Sequence, residues 1–273
     1  MDANSIELAI SHSEPATPIY KLPNGLSVYH VNKHETDFLY KEIFVERAYL
    51  KHGITLKARA CVLDVGANIG MFTLFIKQEC ADARVFAFEP TPELNRIIKL
   101  NVAQYGSSVK VYQNGISDRE GDATFTYYPD YTIMSGFHAD AAGDASVLAT
   151  GIRNLLAEGN AKPKFIERRV QEKLGKKNEI KCALKTISNI ISEAKIEQID
   201  LLKIDAEKSE LAILKGIQEK DWPKIKQMVL EVHSVAEVEV VIPLLKQKGF
   251  EIEVEQEGPF TNSGIYNCFA LRG

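Results

Sequence analysis

The chain has 273 residues, 45% hydrophobic and 26% charged, enough for one substantial α/β core and an appended element. A net charge of −4 and a pI near 5.9 lack the basic surplus of a protein that lives on a phosphate backbone, so no nucleic-acid partner is expected. No apolar run reaches the ~18 residues that span a bilayer; with Asp2, Glu7 and Glu14 early in place of an export signal, no membrane is expected and the compartment is read as cytoplasmic.

Residues 1–58 read as an amino-terminal arm and cap. Residues 1–18, with Pro15 and Pro18, form a loose arm; Tyr20 to Val31 form a short hairpin turning at Asn24-Gly25; Asp37 to Tyr49 form a helix with Phe38, Leu39, Ile43, Phe44 and Ala48 on its apolar face. Residues 59–128 form the first half of the core, with strands over 61–66, 84–89 and 109–113 and helices over 69–79 and 92–105. Residues 129–180 break the pattern and read as a helical insertion, with helices over 146–158 and 163–175 and a small polar run from Asp140 to Asp144. Residues 181–273 complete the core: strands over 200–205, 227–233, 249–255 and 265–271, and helices over 207–220 and 235–248. The last two strands have no helix between them, only Gly258-Pro259 and Asn262-Ser263-Gly264, and so pair as a closing antiparallel hairpin. Alternating strands and helices with one reversed strand predict a Rossmann-like, seven-stranded doubly wound sheet, the class I methyltransferase arrangement, with an amino-terminal cap and a helical lid. Cys61, Cys80, Cys182 and Cys268 lack CxxC spacing and read as buried free thiols.

The run Val62-Leu63-Asp64-Val65-Gly66-Ala67-Asn68-Ile69-Gly70 is a buried strand entering a glycine turn that opens a helix. In open α/β sheets this is where a nucleotide-like ligand sits. Gly66 and Gly70 allow close backbone approach, and Asp64, at the strand's carboxyl end, is placed to accept hydrogen bonds or face a cation; Asp64, Gly66, Asn68 and Gly70, with Asp205 further along the chain, are expected at the ligand. An acid in this loop argues against a pyrophosphate grip. About 20 residues on, Arg84 to Phe88 runs into Glu89-Pro90, and an acid at that strand end takes both hydroxyls of a ribose. Three residues between the flanking glycines, with an acid in the loop, fit S-adenosylmethionine better than NAD. Asn114, Gly115, Ile116 and Ser117, ending the third strand, are expected beside the adenine, although Ser117 and Asp118 also read as a plain turn.

Ligands of such sheets bind outside the carboxyl ends of the strands. There the fourth strand offers Asp205 and the fifth offers Glu231 and His233, two positions apart and therefore on one face. Methyl transfer to oxygen needs an aligned acceptor and removal of its proton. His233 suits the base role, with Glu231 or Asp205 as the carboxylate that orients it, and His138 is a second candidate. An imidazole-carboxylate cluster also suits a divalent cation, but no HxxxH or DxxD-like pair reinforces it, and no metal is expected. The stretch with Lys162, Lys164, Arg168, Arg169, Lys173, Lys176 and Lys177 is either a solvated helix face or a lid whose cations meet an acidic partner.

These motifs, with Asn114 to Asp118 and Asp200 to Glu210, resemble the FkbM family of S-adenosylmethionine-dependent methyltransferases. The family pattern Asp-Val-Glu-Gly-x-Glu meets two departures here, Ala206 and Lys208. Leu22 to Gly25, Glu35 to Gly53, Asp221 to Ile225 and Glu231 to His233 resemble the O-methyltransferase domains of modular polyketide and peptide synthases, as does Lys208. The resemblance implies a hydroxyl or enol acceptor tethered to an acyl or peptidyl carrier protein, whose acidic surface would meet the basic 162–177 stretch, and carries Glu231 and His233 over as active-site residues. The alternatives are a stand-alone O-methyltransferase for a phenol, sugar or natural-product scaffold, and a non-catalytic protein that binds the cofactor and only scaffolds an assembly.

Overall fold

In the central strands, side chains on both faces are apolar, and the computed structural model accordingly packs helices on both sides of one sheet. It describes residues 17–156, 162–256 and 261–272; the arm over 1–16, the Gly258-Pro259 turn and the end of the helix predicted to 158 lie outside the described residues.

The predicted amino-terminal hairpin is present as β1 (Ile19–Lys21) and β2 (Ser27–Tyr29). The helix expected over 37–49 starts earlier, as α1 (Lys33–Tyr40), because the Asn32 side chain caps the Glu35 amide. It continues as one π-helical turn over Lys41–Val45 and stops before Arg47, which has φ of 53°. The core follows as β3 (Cys61–Val65), α2 (Met71–Glu79), β4 (Arg84–Phe88), α3 (Pro92–Val102) and β5 (Val109–Tyr112). Next come β6 (Gly115–Ile116), β7 (Gly121–Tyr127), α4 (Ala141–Leu155), α5 (Pro163–Leu174), β8 (Asn178–Lys185) and α6 (Ile187–Glu193). The chain closes with β9 (Leu201–Ile204), α7 (Glu210–Lys215), β10 (Gln227–Val232), α8 (Val235–Gln247), β11 (Phe250–Glu255) and β12 (Tyr266–Arg272).

The main sheet has seven strands in the order β11-β12-β10-β9-β3-β4-β5. Strand β12 is the reversed one, antiparallel to both β10 and β11, while β10, β9, β3, β4 and β5 are parallel. This is the class I methyltransferase fold, as expected. The chain starts in the middle at β3, builds outward to β5, then returns to β9 on β3's other side. The crevice between β3 and β9 is thus the topological switch point where ligands bind. Phe72, Phe75, Ile97 and Ile98 fill one face of the sheet together with Leu22, Val28 and Leu39 of the cap. Ile187, Ile190, Ile213, Val241 and Leu245 fill the other. All four cysteines are buried and free, as read.

Three differences from the sequence reading concern the site. A second sheet, β6-β8-β7, lies beside the first. Its strand β8 spans the boundary drawn at 180/181, in a segment whose alternation of Ile180, Cys182 and Leu184 signals a strand. The Asp140 to Asp144 run is the start of α4, because Asp140 caps the amides of Ala142 and Gly143. The helix expected over 207–220 shrinks to α7 because Glu207 and Lys208 hold left-handed backbone, φ 46° and 68°, before it.

Gly66, φ 75°, is where β3 touches β9: a Cβ there would lie 1.7 Å from the Asp205 carbonyl oxygen. Gly66→Ala is expected to lower stability by at least about 1 kcal/mol, a fall of roughly 3 °C or more in Tm for a chain of this size, measurable by thermal unfolding.

Candidate active site

At the carboxyl ends of β3, β4, β9 and β10 lies a cavity of about 580 Å³, within the range of small-molecule sites. The Gly66-Ala67 amides both donate to the Phe88 carbonyl, at 3.1 and 3.0 Å, which locks the glycine turn to the end of β4. Beside it, Glu89 accepts from the amides of Thr91 and Asn68 at 2.9 and 3.1 Å. Burial nevertheless pushes the Glu89 carboxyl up to about 7, against the pull of those two amides.

A buried cation sits across the switch point. Lys203 of β9 lies 3.4 Å from Asp64 and 3.3 Å from Asp205, and donates to the Gly66 carbonyl at 2.8 Å. Burial opposes its charge, but Asp205 and Asp64 outweigh that and hold the ammonium above its ordinary range. Tyr49, from the cap, donates to the same Asp205 at 3.0 Å.

Past β9 and β10 the wall becomes acidic. Glu42, Asp205, Glu207 and Glu231 all line the cavity. Burial, reinforced by Glu231 and Asp205, drives the Glu42 carboxyl well up; burial and Asp205 raise Glu231. Behind this wall is His233, its side chain 5% exposed. Its Nε2 is 3.2 Å from Glu207 and 3.4 Å from Glu231, and its Nδ1 is 3.5 Å from Glu210. Burial alone would lower this imidazole, but Glu207 and Glu210 overcome it and raise it well above its ordinary value. Burial likewise raises Glu207 to about 7 despite the attraction of His233. At these separations His233, Glu207 and Glu231 titrate as one unit. One donor atom from each of Glu207, Glu231 and His233 lies within 4.8 Å of the others, the one such cluster among the described residues.

Of the residues expected at the cofactor, Gly66, Asn68, Glu89 and Pro90 line the cavity, as do Asn114, Gly115 and Ile116. Three do not. Asp64 is fully buried beneath the turn, outside the cavity lining, where it accepts from Thr73 at 2.7 Å and faces the Lys203 cation, the placement its strand-end position suggested. Gly70, φ 87°, meets the Ile98 side chain and fits α2 against α3. Ser117 bonds back to Lys185 and packs against Gly216. Of the residues expected in catalysis, Asp205 and Glu231 line the cavity, His138 is exposed and outside it, and His233 stands behind Glu207 and Glu231. The carboxylate-oriented imidazole expected at the cavity thus stands behind its wall, held among Glu207, Glu210 and Glu231.

The sequence reading assigned no role to Lys203, Glu207, Glu42 or Tyr49. Lys203 carried a signal, a lone charge inside the apolar strand Leu201–Ile204. Glu42 and Tyr49 carried none, because only the cap's docking brings them to the site. The cap also braces the turn: buried Glu35 accepts from the Thr132 amide and hydroxyl at 3.0 and 2.6 Å, and that hydroxyl accepts from Asn68 at 2.9 Å.

Residues 64–252 match the model of the methyltransferase FkbM domain. The chain belongs to this family. It is 40% identical over 253 residues to 31-O-demethyl-FK506 methyltransferase FkbM of Streptomyces tacrolimicus, covering 92% of this chain and 96% of that protein. It is 38% identical over 261 residues to AMB antimetabolite synthetase AmbE of Pseudomonas aeruginosa, covering 92% of this chain but 12% of that much longer protein. Methyltransferase sdnD of Sordaria araneosa is 32% identical over 247 residues, covering 86% of this chain and 90% of that protein. The FkbM-family chain is thus a methyltransferase, and membership implies S-adenosylmethionine as methyl donor. Among its described residues, no helix is long and apolar enough to cross a membrane.

Removing Lys203 leaves the fully buried Asp64 carboxylate without its cation and takes the same partner from half-buried Asp205. Lys203→Met is expected to cost about 3–5 kcal/mol of stability, and adding Asp64→Asn should restore part of it; denaturant unfolding of the single and double variants measures both.

Proposed function

We propose that this FkbM-family methyltransferase moves a methyl group from S-adenosylmethionine to a hydroxyl or enol oxygen of a polyketide or peptide intermediate tethered to a carrier protein. The observation that carries the chemistry is the titrating unit of Glu207, Glu231 and His233, which presents two carboxylates with raised affinity for protons on the cavity wall.

The residues present fit the donor. A buried carboxylate, Glu89, stands at the end of β4, where ribose hydroxyls are taken in this fold. Glu42, Asp205 and Glu231 set carboxyl groups on the cavity wall, and a bound sulfonium would favour their ionised forms, an attraction that suits the donor. Gly66, Asn68 and Glu89 would hold the sugar and amino-acid portions, and Asn114 to Ile116 the base. When bound, S-adenosylmethionine supplies an electrophilic methyl on a positively charged sulfur.

What remains for the chain is to orient the acceptor and take its proton. A group whose affinity for protons lies near neutrality is matched to that duty, and Glu207, at about 7, meets it at the cavity wall. His233, itself carrying a proton, steadies Glu207 and Glu231 and spreads the charge that arrives. The acceptor end suits an acyl chain. Val147, Leu148, Ile152 and Leu155 of α4 and Phe165 of α5 give that wall an apolar lining, and Arg169 and Lys173 add cations for a phosphorylated tether. AmbE supports the tethered reading, since the matched segment is one part of a synthetase. FkbM supports a second reading, a free natural-product acceptor, because that relative is matched over 96% of its length.

Mass spectrometry of hydroxyacyl-loaded carrier protein, and of the matching free thioester, separates the two: gain of one methyl on the loaded carrier in preference to the free thioester is expected, and methylation of the free compound alone selects the second reading. Glu207→Gln is expected to lower turnover about 10²-fold or more with cofactor affinity retained. A base that must be unprotonated loses activity as pH falls through its pKa, so wild-type turnover at saturating cofactor should rise with pH through about 7, a limb the variant lacks. Glu89→Ala is expected to weaken S-adenosylmethionine binding about 10-fold or more by calorimetry, given that hydrogen bonds to a charged group are each worth about 1.5–3 kcal/mol.

A further inference from the structure

Lys208 follows Glu207 on the turn that leads into α7, and its ammonium reaches α4. It lies 2.5 Å from Asp144 in the first turn of α4, where the carboxylate is 3% exposed and also accepts from the Tyr128 hydroxyl at 3.2 Å. The next residues of that helix, Val147, Leu148 and Gly151, line the cavity, as Glu207 does. One ion pair therefore ties the helix that walls the acceptor end to the turn that carries the base.

Within that turn the Ala206 amide donates to Glu210 at 3.1 Å, and His233 lies 3.2 Å from Glu207. Glu207 and Lys208 both occupy left-handed backbone, φ 46° and 68°, which side chains other than glycine adopt at a cost. Two further contacts, from outside the main sheet, add to those of Glu210 and His233. Gly136 presses so closely that a Cβ there would lie 2.9 Å from both the Cβ and the carbonyl oxygen of Glu207, while its own amide and carbonyl bond Thr126 of β7 at 3.0 Å each. The second contact is the Lys208–Asp144 pair, which is largely withdrawn from water and so little screened. Tyr128, whose hydroxyl bonds Asp144, packs with Met134 and Leu148, so the anchor adjoins an apolar cluster.

We propose that Lys208 is a positioning residue: through Asp144 it couples the seating of α4 on the cavity to the placement of the Glu207 carboxylate, so that the acceptor wall and the base are set together. The proposal rests on Glu207 being the base. In this arrangement a displaced α4 releases the turn, and Glu207 loses both its separation from His233 and its aim into the cavity.

The test uses Lys208→Gly, Asp144→Asn and their combination in the full chain, with Lys208→Arg as the conservative control. Glycine accepts left-handed backbone, so Lys208→Gly removes the anchor without adding strain and keeps the variant foldable. Turnover should fall about 10-fold or more in each single variant while S-adenosylmethionine affinity is unchanged. The double variant should be no worse than the singles, Lys208→Arg should retain most activity, and the turnover limb near pH 7 should shift. Unchanged turnover and pH profile in Lys208→Gly, or losses that add in the double variant, would overturn the coupling while leaving Glu207 as the base. Full turnover in Glu207→Gln, measured alongside, would remove the base assignment and the coupling with it.

Discussion

The ammonium of Lys203 is the constraint on which the site depends. It occupies the one place where the parallel sheet reverses its direction of growth, between β3 and β9, and it satisfies groups from both: Asp64 and the Gly66 carbonyl on one side, Asp205 on the other. Each partner alone would be a poor interior group, since an unpaired buried charge costs several kcal/mol. Together they are stable only when the glycine turn, the end of β9 and Tyr49 of the cap are all in register. The close approach of Gly66 to the Asp205 carbonyl follows from the same register. The pocket floor is thereby rigid before any ligand arrives, which lowers the cost of binding.

Around that floor the cavity holds an excess of carboxylates over cations, and the excess explains the electrostatics. Glu42, Glu89, Glu207 and Glu231 are all raised first by burial, and Glu42 and Glu231 further by the carboxylates beside them. A cavity of this kind holds affinity for protons, and a positively charged ligand entering it would favour the ionised carboxylates. His233 serves this economy from behind. Hemmed in by Glu207, Glu210 and Glu231, it is kept protonated and lets two carboxylates sit close together at the wall.

The insertion and the cap complete the enclosure from opposite ends of the sequence. Helices α4 and α5 carry apolar residues and two cations to the cavity, and the cap contributes Glu42 and Tyr49. Each is tied to the floor by a polar contact over a long sequence separation: Glu35 to Thr132 and on to Asn68 for the cap, Lys208 to Asp144 for the insertion. Such contacts specify one arrangement because a half-made pair would leave a buried charge.

The strands of the main sheet, the glycine turn, Glu89, Asp205 and Glu231 were all legible in the sequence, because their signals are local: apolar runs of strand length, a turn that needs Gly66, and acids at strand ends. The family was legible for the same reason, since its motifs are those local segments. Strand β8 was hidden by its short alternation within a basic, helix-rich stretch, and Asp64 was placed at the ligand because a strand-end carboxylate looks alike from either side of a loop. Which face it turns to depends on Lys203, a neighbour only in the folded sheet. Burial decided the rest. The charge on His233, the proton affinity of Glu207 and the roles of Glu42 and Tyr49 arise where segments far apart in the chain exclude water from one another, and desolvation of that kind has no signature in any single stretch of residues.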